Sequence, residues 1–173
     1  MNINEFFNPY DPEKINDNIF KLMEKDWLLI TAGDMNSFNT MTAAWAGLGV
    51  LWKKKVVFCF IRPQRYTYQF VEKHDFFTVS FYDEQYRKAL NICGNTSGRD
   101  HDKVKAAGLS PLETEHGSIV FKESRLFFEC RKIYFNDLDS RNFLIPEIEK
   151  CYPTQDYHRM YIGEIVSCFE QKK

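Results

Sequence analysis

The sequence predicts a mainly β protein: an antiparallel sheet or small barrel with short helical insertions. Three observations carry this. Compact apolar runs of strand length recur from Trp27 to Phe169, with only short helical stretches between them. The runs show no regular βαβ alternation, which disfavours a doubly wound parallel sheet. The length of 173 residues, 44% hydrophobic, suffices for one substantial core and not for two comfortable ones. No internal repeat or low-complexity linker divides the chain. Residues 1–173 therefore read as one domain, with 1–26 a helical segment packed on it.

The elements follow in order. Asp11 caps a helix with Pro12 at its first position, and Ile15, Ile19, Leu22 and Met23 recur at helical spacing to about Lys25. Trp27 to Ala32 is a strand closed by Gly33-Asp34. Asn39 to Trp45 is strand-like, and Gly47 and Gly49 interrupt it, as at a bulge or a close backbone approach. Lys53-Lys54-Lys55 reads as a solvated turn before the strand Val56 to Ile61. Tyr66 to Lys73 is a short helix, Phe76 to Phe81 a strand, and Glu84 to Ile92 a helix ending at Cys93-Gly94. The stretch "NTSGRDHDKVKAAGLSP" runs into a helix whose start is marked by Ser97 or Asp100 and whose stop is Gly108. Ile119 to Phe121 and Leu126 to Phe135 are strands, Phe143 to Lys150 a short helical or irregular excursion, and Met160 to Phe169 the last strand. A barrel this small fills its interior with side chains, so a ligand belongs on its rim or in a dimer groove.

Composition removes several function classes. Net charge is −1, so no global field draws the protein to nucleic acid or an anionic membrane. Five cysteines without C-x-x-C spacing, and a start, "MNINEFFNPY", lacking a secretion-signal pattern, lead us to expect free thiols in a reducing cytoplasm. No apolar run approaches the ~20 residues of a membrane helix. The four histidines lack metal-ligand spacing, so no metal site is expected. Neither a G-x-G-x-x-G nor a G-x-x-x-x-G-K-[ST] nor a G-x-S-x-G motif occurs. The aromatic share of 16% fits an aromatic core, or rings that line a flat ligand or an interface.

Donors gather instead at strand ends. In "CFIRPQRYTYQF", Arg62 follows a buried strand, Pro63 stops the ladder, and Arg65, Tyr66, Thr67 and Tyr68 open the next helix. Free N–H groups and a positive dipole end at the helix start, a guanidinium fork and a hydroxyl make an anion site. Arg62 reads equally as a surface arginine paired with an acid. A second such place is Ser97-Gly98-Arg99-Asp100 with Lys103 one turn on, where Gly98 admits a close ligand; an ordinary capped surface helix is the other reading. A third is "NTMTAAW". Asn39, Thr40 and Thr42 alternate there with Met41, Ala43 and Trp45, either as an edge strand with a polar face or as a backbone along which a planar ring lies close.

These stretches, with "FFTVSFYDEQYRKAL" and "YHRMYIGEI", occur in the order that resembles the flavin reductase-like, FMN-binding split-barrel family, most closely its flavoredoxin-like branch. The resemblance covers about Trp27 to Phe169. It implies a six-stranded Greek-key split barrel that dimerises with FMN near the interface. It further implies that Arg62 and Thr67 grip the FMN phosphate, with Tyr68 beside them, and that Ser97, Gly98 and Lys103 complete the cradle. Asn39 to Trp45 would run past the isoalloxazine, with His158 near it. Asn142 to Pro146 departs from the family pattern, where an acidic residue often follows Phe-Leu. The implied activity is NAD(P)H-dependent flavin or ferric reduction, with NADH or NADPH passing hydride to the flavin and no catalytic side chain nominated. The alternatives are a non-enzymatic FMN electron carrier working with a redox protein partner, and a split-barrel protein that binds haem.

Overall fold

A computed structural model describes residues 3–172. The outermost limits of the expected domain, Met1, Asn2 and Lys173, lie outside the described residues. In chain order the strands and helices are β1 (Phe7–Pro9), α1 (Ile19–Lys21), β2 (Leu28–Asp34), β3 (Ser37–Ala43), β4 (Ala46–Leu51), β5 (Lys54–Ile61), α2 (Tyr66–Lys73), β6 (Phe76–Phe81), α3 (Arg87–Asn95), α4 (Lys103–Ala107), β7 (Pro111–Glu113), β8 (Ile119–Phe121), β9 (Leu126–Asp137) and β10 (Arg159–Gln171). One antiparallel sheet of eight strands, two more than the expected six, runs β3-β2-β6-β9-β10-β5-β4, with β1 added on β10. β7 and β8 form a separate hairpin.

β2 shows why the sheet sits where it does. Leu28, Ile30 and Ala32 point into the main core with Val57, Phe77, Val79, Phe128 and Tyr161. Leu29, on the opposite face, joins Leu90, Cys93, Ile119 and Phe121 beneath α3 and β8. Both faces of β2 are thus covered, which is why its sequence reads as a continuous apolar run rather than an alternation. The interior is filled tightly enough to require glycine at one point. A Cβ on Gly163 in β10 would stand 2.6 Å from Phe77 Cζ and 2.8 Å from Cys130 Cβ. The aromatic ring occupies the space a side chain would need. β3 and β4 are the two ends of the sheet path, and Ala44-Trp45 carries the chain between them.

Several local expectations shift. The helix expected over 12–25 is three pieces: a 3-10 turn at Pro12–Lys14, α1, and a π-turn at Leu22–Asp26. Ile15 is extended, and the Asn18 side chain accepts from Lys21 N–H at 3.0 Å, starting a fresh helix rather than continuing one. The helix expected from Ser97 or Asp100 begins later. Asp102 caps α4 by accepting from Lys105 N–H at 3.0 Å, whereas Ser97 Oγ accepts from Arg99 N–H within a turn. Gly108 stops α4 as expected, at φ 68°. Only Lys53 of the lysine run is in a turn. Lys54 and Lys55 lie in β5 and pair with Glu164 at 2.7 Å and Glu13 at 2.9 Å. No helix among the described residues is long and apolar enough to cross a membrane.

Candidate functional site

Two adjoining hollows open where β5 ends, α2 begins and the α3–α4 loop returns to the barrel. The first, ≈ 230 Å³, lies at the start of α2 and is walled by Arg65, Thr67, Ser97, Arg99 and Lys103 together with backbone from Gly94 to Thr96. The second, ≈ 220 Å³, runs along the β3–β4 crossing, with Met41 to Trp45, Phe60, Arg62 and His158 on its walls. Arg65 borders both, so they meet at its guanidinium.

The first hollow is built from the backbone outward. Arg65 is the cap residue of α2, and no side chain bonds the free N–H groups of the first turn. Those groups and the dipole leave partial positive charge at the wall. Arg65 Nη2 donates to Gly94 O at 2.9 Å, and Arg99 Nη1 to Gln64 O at 3.1 Å with its guanidinium 4.9 Å over the Tyr66 ring. Lys103 is only 4% exposed, and its Nζ donates to Cys93 O and Thr96 O, both at 3.3 Å. None of these three cations has a carboxylate within 4.0 Å among the described residues; the acids that pair elsewhere do not reach them. Burial, aided by the nearby Arg65 charge, brings the Lys103 ammonium down to about 8. Burial likewise lowers Arg65, with Arg62 adding to the effect. The hollow is a concentration of positive charge that the chain itself leaves uncompensated.

Thr67 and Asn39 support this wall from behind. Both are buried, and Asn39 Nδ2 donates to Thr67 Oγ1 at 2.7 Å. Gly98 presses on the same amide: a Cβ there would stand 2.1 Å from Asn39 Oδ1, so only a hydrogen fits. The expected close approach at Gly98 is therefore an approach to Asn39.

In the second hollow, Trp45 is half-exposed and its ring lies 4.9 Å from that of His158. Tyr152 Oη is 2.9 Å from His158 Nδ1, leaving Nε2 as the free ring nitrogen. Burial, with the Arg62 charge adding to it, depresses the His158 imidazole to about 4, so the ring is neutral at pH 7. Thr42 Oγ1 bonds Leu90 O and fixes β3 to α3.

Met41, Thr42, Ala43, Trp45 and His158 thus gather in the ring-sized hollow, and Thr67, Ser97 and Lys103 in the cation-lined one. Arg62, expected at the phosphate, borders the ring-sized hollow, where Nη1 donates to Asp156 Oδ2 at 2.6 Å. Thr40 faces the interior and bonds Thr31 at 2.8 Å. Tyr68 lies on the other side of α2, against Tyr161 and Arg159. The sequence signal for Arg65 was its place immediately before a helix start. For Tyr152 and Asp156, contributed by the segment 139–157, the sequence carried no signal.

A family model described as a flavin reductase like domain matches residues 21–173. Among solved structures, the FMN-binding domain of a flavin reductases-like enzyme from Shewanella baltica OS155 superposes with a TM-score of 0.69 at 16% identity, covering 95% of this chain and 76% of that one. Flavoredoxin of Desulfovibrio vulgaris (Miyazaki F) gives 0.66 at 23% identity, covering 85% and 69%. An NADH:FAD oxidoreductase from Streptomyces globisporus C-1027, solved with NAD and FAD fragments, gives 0.63 at 15% identity, covering 85% and 77%. No curated protein matches.

Proposed function

This chain belongs to the flavin reductase-like family, and from that premise we propose that it binds FMN and is an NAD(P)H-dependent flavin or ferric reductase. The single observation that carries the reading is the set of three cations, Arg65, Arg99 and Lys103, around one hollow without a carboxylate. A buried ammonium whose only partners are carbonyls lacks a counter-charge, and a phosphate dianion supplies it. The donor set therefore fits a phosphate-bearing cofactor. Arg65, Lys103, Ser97 and the first N–H groups of α2 would hold the phosphate, with Asn39, Thr67 and Gly98 fixing the wall behind them. Met41 to Trp45 and His158 would border the flavin ring. When bound, FMN supplies the two-electron chemistry, accepting hydride from a reduced nicotinamide and passing electrons on. His158 is held neutral and aimed by Tyr152, so it offers a hydrogen bond to the ring-sized hollow without bringing charge.

The ring-sized hollow continues into an apolar one bordered by Phe20, Met23, Trp45, Leu48 and Leu138. Phe20 is 85% exposed there. A second copy of the chain covering this surface would complete the site as a homodimer; light scattering that finds only monomer with FMN bound removes the dimer.

A second reading is an electron carrier with a protein partner, favoured by the higher identity to flavoredoxin, 23% against 15% for the oxidoreductase. Anaerobic mixing of the purified yellow protein with NADH and with NADPH separates the two. Rapid bleaching of the flavin band supports the reductase. No bleaching with either nucleotide, but reduction by a protein donor, supports the carrier. A colourless protein that fails to take up FMN removes both.

A further inference from the structure

The segment 139–157 lies behind two wall residues of the ring-sized hollow, Arg62 and His158, and bonds to both. Tyr152 holds His158, and its ring lies 5.2 Å from the Arg62 guanidinium. Arg62 is held from both ends of its fork: Nη1 donates to Asp156 Oδ2 at 2.6 Å and Nη2 to Cys151 O at 2.8 Å. The pairing is lopsided. Asp156 Oδ2 accepts from both Arg62 and Gln64, while Oδ1 is buried and has no partner. A buried acceptor left without a donor is unfavourable. The Arg62 bond also keeps the Asp156 carboxyl down at about 2, so this group is an anion at any ordinary pH. An arginine on the wall of a ligand hollow is thus capped by an internal anion in an imperfect site.

We infer that Asp156 masks Arg62, and that Arg62, once released, receives the pyrophosphate of the dinucleotide that meets the flavin in this hollow. The inference rests on the nicotinamide-dependent reductase reading above, not on flavin binding alone. Three points support it. A guanidinium fork matches two phosphate oxygens. A pyrophosphate brings two negative charges against the one of Asp156, and the displaced carboxylate regains water on the oxygen that now lacks a partner. Finally, the other cation on this wall, Arg65, faces the cation-lined hollow and the phosphate assigned to it, which leaves Arg62 as the guanidinium available to a second nucleotide. Unmasking consumes part of the binding energy, so the mask sets the dinucleotide's apparent affinity without touching the flavin's.

The test uses FMN-loaded protein and calorimetric titration with ADP-ribose, which carries the pyrophosphate but no nicotinamide. D156N, and D156S as a second variant with a small polar side chain, should each bind ADP-ribose about five- to tenfold more tightly than the unmodified protein, the order expected for removing one competing charged partner. R62A should bind it at least about tenfold more weakly. R62A/D156N should match R62A, since Asp156 acts only through Arg62. FMN affinity should stay unchanged in D156N and D156S. The inference is overturned if neither Asp156 variant tightens ADP-ribose binding, if the double variant differs from R62A, or if FMN affinity moves by the same factor. Loss of FMN binding by the unmodified protein would instead remove the function reading on which this rests.

Discussion

Two side chains of opposite charge are buried in this fold, and the chain treats them differently. Glu129, in β9, is fully buried and fully provided for. Its Oε1 accepts from Thr114 Oγ1 and from His116 N–H, and its Oε2 from Ser167 Oγ at 3.2 Å, with His116 Nδ1 at 3.0 Å. Lys103 is almost as deeply buried, yet meets two carbonyls at 3.3 Å and no acid. The first pattern is that of a charge completed by its own fold, tying the β7–β8 hairpin to the barrel. The second is that of a charge left for something else to complete.

The contrast sets the order of the expected effects. E129A removes the acceptor shared by Thr114, Ser167 and the His116 N–H and ring, with Thr114 Oγ1 keeping Ser118 O at 3.1 Å, and should cost about 3 kcal/mol of stability in urea unfolding; a loss under ~1 kcal/mol would mean that Glu129 is not the tie described. K103M should do the reverse: no loss, or a gain, in the stability of the flavin-free protein at neutral pH, but FMN binding weaker by about 1.5–3 kcal/mol, the range for a hydrogen bond to a charged group. Equal losses in both measurements would erase the distinction between the two residues. A smaller effect is in pH. The Lys103 ammonium falls from 10.5 to about 8 on folding, so between these values the unfolded chain holds more protons. Stability of the flavin-free protein should therefore gain a rising contribution from pH 8 to 10.5, one that K103M abolishes. A bound dianion raises the ammonium again, so FMN binding near pH 8.5 should take up a fraction of a proton, seen as a buffer-dependent calorimetric enthalpy. A comparable effect at acid pH belongs to His158. With its folded value at about 4 against 6.5, its contribution to stability is lost as pH falls through that window. H158N should flatten that part of the stability curve.

What was legible in the sequence follows the range of the interactions. β2, β5, β6 and β9 were readable because both covered faces and the strand ends are written locally in apolar runs and in Gly33 or Pro63. The three stretches that line the two hollows were readable as places where donors gather, since strand ends and helix starts advertise them. The N-terminal helix was misread because Asn18 competes for backbone N–H groups inside an otherwise helical pattern. Which donors face which hollow was not readable. Tyr68 and Thr67 are adjacent in sequence, and α2 packs one against Tyr161 and buries the other against Asn39. Arg62 and Asp156 are 94 positions apart, and no local pattern announces that pair.

The contact between Gly98 and Asn39 bears on how this loop tolerates change. A library randomised at 98 and screened for folding should return mostly glycine there. Alanine at 98 would require the Asn39 amide or the loop to shift. The spacing between the cationic loop and the sheet is thus set by the contact of one hydrogen atom with the Asn39 amide.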